Sequence, residues 1–287
     1  MIRADYHVHS SHSGDSSESI LNHITEAIKH NLQYLCFTDH MDLDYPVTPP
    51  GHEDEACDFT LDIESYHREI IKYQNSNKSS ILDQAIAADV SSVPEIMYGI
   101  ELGLQPQVAN DNKKIATSNK FDFIIGSIHV FDSQDPYYPE FWIDKKDSEI
   151  YRRYFESMYE NICIFDDFDV LGHIDYLFRY GKEKDLSFKY VDYADELDSI
   201  LRKIIESGKG IEINTGGLRS GLKFPNPNPE ILNRYKELGG EIITVGSDAH
   251  IREHLAWNFD AAEAILKNCG FEYYTVFKDR KPTFLKL

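Results

Sequence analysis

Residues 2–9 read Ile2-Arg3-Ala4-Asp5-Tyr6-His7-Val8-His9, an apolar, strand-forming start that runs straight into two histidines one residue apart. Side chains of an extended segment alternate between faces, so His7 and His9 leave the same face and can grip one ion together. One such pair is weak evidence. Its weight comes from what happens further along the chain, where short apolar runs repeatedly end in the same chemistry.

Apolar runs at 2–6, 34–38, 96–102, 123–128, 168–172, 210–214 and 241–246 have the length and the Ile, Val, Phe and Tyr content of buried strands. Between them lie stretches of helical period. Ile20, Ile24, Ala27 and Ile28 mark one helix face. Leu197, Ile200, Leu201 and Ile204 mark another, in a helix predicted over 193–207 with Gly208 after its end. Asn228-Pro229-Glu230 supplies a capping residue followed by proline at the first helical position. Strand alternating with helix is the pattern of parallel βαβ units. Seven strands, with an eighth candidate at 273–277, predict an α/β fold, a distorted seven-stranded β/α (TIM-like) barrel. No Pro/Gly/Ser-rich linker divides the chain, so a single barrel domain over 1–287 is expected, interrupted by polar excursions at 41–61 and 75–94.

The ionisable residues fall where those strands stop. The first ends in Asp5-Tyr6-His7-Val8-His9, the second in Thr38-Asp39-His40, and the third carries Glu101. The fourth ends in Ser127-Ile128-His129, the fifth in Gly172-His173-Ile174-Asp175, and the seventh in Ser247-Asp248-Ala249-His250. In a β/α barrel all carboxyl ends of the strands converge on one face, where active sites are built. Imidazole nitrogens and carboxylate oxygens suit Zn, Fe or Mn, and so many ligands require several ions. A histidine buried and satisfied by packing is the better reading of any one of these residues alone; their shared position reverses it. Glu101 lies in the apolar run Gly99-Ile100-Glu101-Leu102, where a charge is costly unless paired or ligating. Asp5, Asp39 and Asp175, beside ligands, are expected to orient imidazoles from behind. His23, His30, His52, His67 and His254 repeat no ligand spacing and are assigned to surface or packing, and the acidic stretches 54–58 and 144–149 to solvated faces.

The segments DYHVH, TDH, IGSIH with LGHID, and GSDAH resemble the four motifs of the polymerase-and-histidinol-phosphatase (PHP) family, along essentially the whole chain. The resemblance implies a distorted seven-stranded barrel with three divalent metal ions. One would be held by His7, His9, Glu101 and Asp248, and a second by Glu101, His129 and His173 with Glu101 bridging. A third would take Asp15, His40 and His250, with His12 as the alternative to Asp15. The later segments HIDYLFRYG (173–181) and EINTGGLRSG (212–221), followed by NPNPEIL, resemble the histidinol-phosphatase branch of that family. The implied activity is hydrolysis of L-histidinol phosphate, a step of histidine biosynthesis, by a metal-activated hydroxide. Asp248, His250 and Glu101 are the implied catalytic residues, with Asp248 or a neighbouring histidine protonating the leaving group. Arg179 and Arg219 are expected to bind the phosphate, because guanidinium matches its oxygens bidentately.

Composition narrows the partners. The chain has 287 residues, 41% hydrophobic and 27% charged, and 29 basic against 49 acidic side chains give a net charge of −20. That field repels a polyanionic backbone, so a small phosphorylated substrate is expected and a nucleic acid is not. Cys36, Cys57, Cys163 and Cys269 are scattered without a disulfide framework, there is no membrane-spanning run, and no leader is legible at the start. A cytoplasmic location is the expectation; oligomeric state is not readable. Other readings are a PHP-type phosphoesterase for another small ester or nucleotide, a metal-dependent amidohydrolase, and a metal-binding scaffold without activity. An amidohydrolase usually lacks the TDH and SDAH segments, and a scaffold would be missing several ligands.

Overall fold

The computed structural model describes residues 1–76, 81, 93–184, 186 and 188–287. Its core is a parallel sheet wound toward closure. The strands are β1 (Ala4–Val8), β2 (Tyr34–Phe37), β3 (His40–Met41), β4 (Glu95–Gly103), β5 (Phe123–Ser127), β6 (Val170–Leu171), β7 (Gly210–Asn214) and β8 (Ile243–Gly246). The order is β1-β2-β4-β5-β6-β7-β8, with the short β3 pairing with β4 beyond the end of β2. The seam closes through a single bridge between Val8 and Ala249, where Asp248 N–H donates to the His7 carbonyl at 2.8 Å and His9 N–H to the Ala249 carbonyl at 2.9 Å. The result is the distorted seven-stranded barrel that the strand pattern predicts, with helices packed between strands.

Helix α1 (Ile20–Lys29) shows why the local sequence folds this way. Ser19 caps it by accepting from Asn22 N–H at 3.2 Å, and Ile20, Ile24, Ala27 and Ile28 bury one stripe. The helices α2 (Ile63–Gln74), α3 (Ala109–Ser118), α4 (Asp147–Ile164) and α5 (Ala194–Glu206) follow, the last burying Leu197, Ile200, Leu201 and Ile204. Then come the short α6 (Gly216–Arg219), α7 (Pro229–Glu237) and α8 (Phe259–Asn268). Pro229 opens α7 behind the Asn228 cap, as its sequence predicts.

One expectation is corrected. The run at 273–277 does form a strand, β9 (Tyr273–Lys278), but it is not an eighth stave of the barrel. It pairs antiparallel with β10 (Lys281–Lys286) in a separate hairpin. That hairpin plugs the amino-terminal mouth: Tyr6 donates to the Phe277 carbonyl at 2.7 Å, and the Phe123 ring meets Tyr6 and Phe277, each at 5.1 Å between centroids. The carboxyl mouth at the other end is left for chemistry. The excursion expected at 75–94 lies almost wholly outside the described residues. The one at 41–61 runs over the carboxyl mouth, tethered where Gln105 Nε2 donates to the carbonyls of Leu43 and Asp44.

Candidate metal centre

Glu101 occupies the middle of the carboxyl mouth, fully buried, with an imidazole on each side of its carboxylate. Its Oε2 lies 3.2 Å from His7 Nε2, 3.5 Å from His9 Nε2 and 3.0 Å from His40 Nδ1. Its Oε1 lies 3.0 Å from His173 Nε2 and 3.2 Å from His129 Nε2, and accepts from Ser127 Oγ at 2.6 Å. Asp248 Oδ1 is 3.7 Å from His7 Nε2 and 3.5 Å from His9 Nε2. On the outer side, Asp15 Oδ2 stands 3.1 Å from His250 Nε2 and 3.6 Å from His40 Nε2, and the His9 ring packs against those of His40 and His250, at 4.2 and 4.1 Å between centroids. The structure thus brings together all nine predicted ligands. It also separates the two candidates left open at the third position: His12 turns away to Glu69, at 2.9 Å, while Asp15 faces the cluster.

Electrostatics match a cation site. Burial alone would raise the Glu101 carboxyl, but the facing His7, His129 and His40 override it and hold it well below the ordinary range. Asp248 and Asp15 are likewise held down, against burial, by His7 with Arg179 and by His40 with His250. His9 is pushed down by burial and by its neighbours His250 and His40, which leaves it neutral and able to ligate. His7 Nε2, His9 Nε2, His40 Nδ1 and Glu101 Oε2 are buried without a hydrogen-bond partner among the described residues, and they point at one another's space. Orphaned lone pairs of this kind are costly unless something binds them. Among the described residues, four overlapping groups have donor atoms close enough to share an ion: His7–His9–Glu101, Glu101–His129–His173, His9–His40–His250 and His40–Asp42–His129.

Beside the cluster a cavity of about 140 Å³ opens, lined on its polar side by Asp15, Arg179, Asp248 and the outer histidines, and on the other by Tyr45, Phe59, Tyr176 and Tyr180. Arg179 enters it from behind. Its guanidinium donates to Asn226 Oδ1 at 2.9 Å, Asp248 Oδ2 at 2.9 Å and Asn214 Oδ1 at 3.0 Å. Arg219 does not line the cavity. It donates to the carbonyls of Ser247 and Asp248 at 2.5 and 2.6 Å, clasping a turn in which Asp248 has the left-handed φ of 57°.

The three carboxylates expected to orient imidazoles do something else. Asp5 accepts from Ser247 N–H and Oγ and from Ala256 N–H; Asp175 accepts from Asn226 Nδ2 and Asn228 N–H. Asp39 takes the hydroxyls of Ser10 and Ser13, and reaches His9 only through Ser13 Oγ, 3.1 Å from His9 Nδ1. The carboxylates that do touch ligand rings, Asp42 and Glu212, were missed, as was the aromatic wall. Asp42 sits two residues past His40, just after the short β3, and Glu212 is a charge inside the buried run Gly210–Asn214, so the argument applied to Glu101 would have found it. Of the histidines assigned elsewhere, His30 and His67 are exposed and His23 is buried in packing.

Comparisons with known proteins agree. The histidinol-phosphatase of Lactococcus lactis is 31% identical over 98% of this chain and 96% of its own. A probable histidinol-phosphatase of Clostridium acetobutylicum is 32% identical over 93% of this chain and 94% of its own. The crystal structure of histidinol phosphate phosphatase from Lactococcus lactis, complexed with zinc, L-histidinol and phosphate, superposes with a TM-score of 0.83 at 30% identity over 98% of both chains. The family model of the PHP domain matches residues 5–216, and with that span and these relatives the chain belongs to the PHP domain family.

Proposed function

We propose that this chain is a metal-dependent phosphomonoesterase that hydrolyses L-histidinol phosphate to L-histidinol and orthophosphate. The observation that carries the reading is the juxtaposition of the Glu101-centred ligand cluster with the Arg179-backed, aromatic-walled cavity. The similarity over 98% of both chains to an enzyme whose crystal structure holds zinc, L-histidinol and phosphate supports the substrate.

The donor set fits three divalent ions. His7, His9, Glu101 and Asp248 would hold one; Glu101, His129 and His173 a second; Asp15, His40 and His250 a third. When bound, such ions neutralise the roughly two negative charges of a phosphate monoester and lower the pKa of a bound water from about 16 toward about 7. The chain's own residues do the rest. Arg179, held by Asn214, Asn226 and Asp248, presents a guanidinium to phosphate oxygens, and Arg219 supports the same corner through the Ser247 and Asp248 carbonyls. Tyr45, Phe59, Tyr176 and Tyr180 form a wall for a ring-bearing organic group and keep bulk water from it. Water oxygen bonds to phosphorus as the phosphorus–ester oxygen bond breaks. Asp248, lining the cavity beside Arg179, is placed to relay the proton from the attacking water to the departing alkoxide.

The test is phosphate release from L-histidinol phosphate, p-nitrophenyl phosphate and a dinucleotide, with and without chelation. Chelator-sensitive turnover that favours histidinol phosphate is the expected result. Equal or faster turnover of another ester overturns the substrate, and turnover that survives chelation with bound metal removed overturns the mechanism.

A further inference from the structure

We infer that Asp42 and Glu212 are the positioning residues of the centre: each fixes one histidine so that its Nε2 lone pair faces one oxygen of Glu101. His7 Nδ1 lies 2.7 Å from Glu212 Oε1, and its Nε2 lies 3.2 Å from Glu101 Oε2. His129 repeats the arrangement on the other side, with Nδ1 2.8 Å from Asp42 Oδ1 and Nε2 3.2 Å from Glu101 Oε1. The two carboxylates come from β7 and from the segment just after β3, on opposite sides of the barrel, and both are buried. A neutral imidazole has one N–H. A carboxylate behind Nδ1 keeps the proton there and frees Nε2 for a metal.

The surrounding chain is cut to admit these carboxylates. A Cβ on Gly246 would lie 2.2 Å from Glu212 Oε1, and one on Gly103 would lie 1.9 Å from Asp42 Oδ1. Neither glycine has a positive φ, so backbone conformation does not demand it. The space is what is needed. Glu212 is further committed through Oε2, which accepts from His173 N–H and Asn214 Nδ2, both at 3.1 Å. Among the described residues, Asp42 Oδ2 has no hydrogen-bond partner, and it stands 3.4 Å from His40 Nδ1.

That difference gives the two residues opposite tolerance of an amide. In Asp42→Asn, the oxygen can still accept from His129, and the NH2 faces only His40 Nδ1, 3.4 Å away and outside hydrogen-bond geometry. In Glu212→Gln there is no good orientation. With the NH2 at the Oε2 position it confronts two N–H donors. Turned round, it donates to His7 Nδ1, which moves the imidazole proton to Nε2 and aims it at the metal. The inference rests on the metal-centre part of the proposed function and not on its substrate.

The test therefore reads zinc, not phosphate. Zinc-loaded wild type, Asp42→Ala, Asp42→Asn, Glu212→Ala and Glu212→Gln are titrated against a chelator, with near-ultraviolet circular dichroism as the check on folding. Long-range ¹H–¹⁵N spectra of the histidine rings report which nitrogen carries the proton. Both alanine variants should hold the weakened zinc about 10–100-fold less tightly. Glu212→Gln should be as weak as Glu212→Ala, and Asp42→Asn should recover most of the affinity with the His129 proton still on Nδ1. Folded alanine variants with wild-type zinc affinity overturn the inference. So does an Asp42→Asn as weak as Asp42→Ala, which would make Asp42 a ligand in its own right. If an alanine variant fails to fold, the amide pair and its predicted asymmetry decide the matter, and equal effects refute it.

Discussion

Acid should loosen this fold through His23, and by an amount that can be worked out. His23 sits on the inner face of α1 with no exposed surface, its Nε2–H donating to the His9 carbonyl at 3.0 Å and its Nδ1 without a hydrogen-bond partner among the described residues. Burial, opposed in part by Glu18, pushes its pKa from 6.5 down to about 4. Because the folded value lies below the unfolded one, the unfolded chain binds more protons between them. The stabilisation is complete above the unfolded pKa and is lost as pH falls toward the folded one. From these two pKa values, the ratio of binding polynomials gives a loss of about 2 kcal/mol between pH 7.5 and pH 5. The comparison protein is His23→Gln, whose amide can still donate to the His9 carbonyl but does not titrate. Urea unfolding of both proteins in chelator, across that range, isolates His23 because every other histidine is common to the two. Parallel stability curves would refute the reasoning. A gap widening toward acid by about 2 kcal/mol in favour of the variant is the expected outcome.

Four further perturbations bear on the site. Glu101→Ala removes the carboxylate shared by two ligand groups, so metal content should fall together with activity; metal analysis showing both retained would defeat the bridging role. Arg179→Ala removes a charge-assisted hydrogen bond of about 1.5–3 kcal/mol, so kcat/KM for the phosphate ester should fall by about 10–100-fold, mainly through KM. Arg219→Ala should also raise KM, and an unchanged KM with a lower kcat would assign Arg219 to holding the Asp248 turn alone. Gly246→Ala places a methyl 2.2 Å from Glu212 Oε1 and 2.4 Å from His7 Cβ, which should cost about 1–3 kcal/mol in thermal unfolding and release metal; a wild-type melt refutes the clearance argument.

The barrel was legible because a buried parallel strand is a continuous apolar run, and the runs were few and well separated. Their ends were less so. The first strand pairs from Ala4 rather than Ile2, since the ladder with β2 begins at Ala4 and Tyr34 and Ile2 is merely buried. At 273–277 the strand could be read but not its sheet. The hairpin turn is Asp279-Arg280, both with positive φ, and arginine there gives none of the Asn-Gly signal that marks such turns. Most of the candidate ligands were legible because they sit where a strand stops, a position that can be counted along the chain; Glu101, inside β4, was betrayed by a charge in an apolar run, and Asp15, in the loop after β1, by the family resemblance. Asp42 and Glu212 act on rings 87 and 205 residues away, and no local pattern records such a pairing. Arg219 shows the other limit: residue type suggested a phosphate ligand, while the backbone carbonyls it meets depend on a turn visible only in three dimensions.

The centre is assembled at a cost that argues for what it holds. His7 Nε2, His9 Nε2, His40 Nδ1, Glu101 Oε2 and Asp42 Oδ2 are buried without a hydrogen-bond partner among the described residues, and each such atom typically costs about 1–3 kcal/mol. A chain of net charge −20 also concentrates Glu101, Asp42, Asp15, Asp248 and Glu212 at one mouth, which only cations can balance once the histidines are neutral. Binding of divalent ions would relieve both penalties in the folded state and neither in the unfolded one. Metal should therefore stabilise the fold itself, by about 2.7 kcal/mol for each ion present at a hundredfold its Kd. Stripping the ions should lower Tm by at least about 10 °C, given a few degrees for each kcal/mol in a chain of this size. Scanning calorimetry of chelated, zinc-loaded and reloaded protein measures it directly. Equal melting temperatures in all three would mean that the unpartnered atoms are satisfied some other way, and the case for a preformed metal centre would fail on thermodynamics before any substrate was tried.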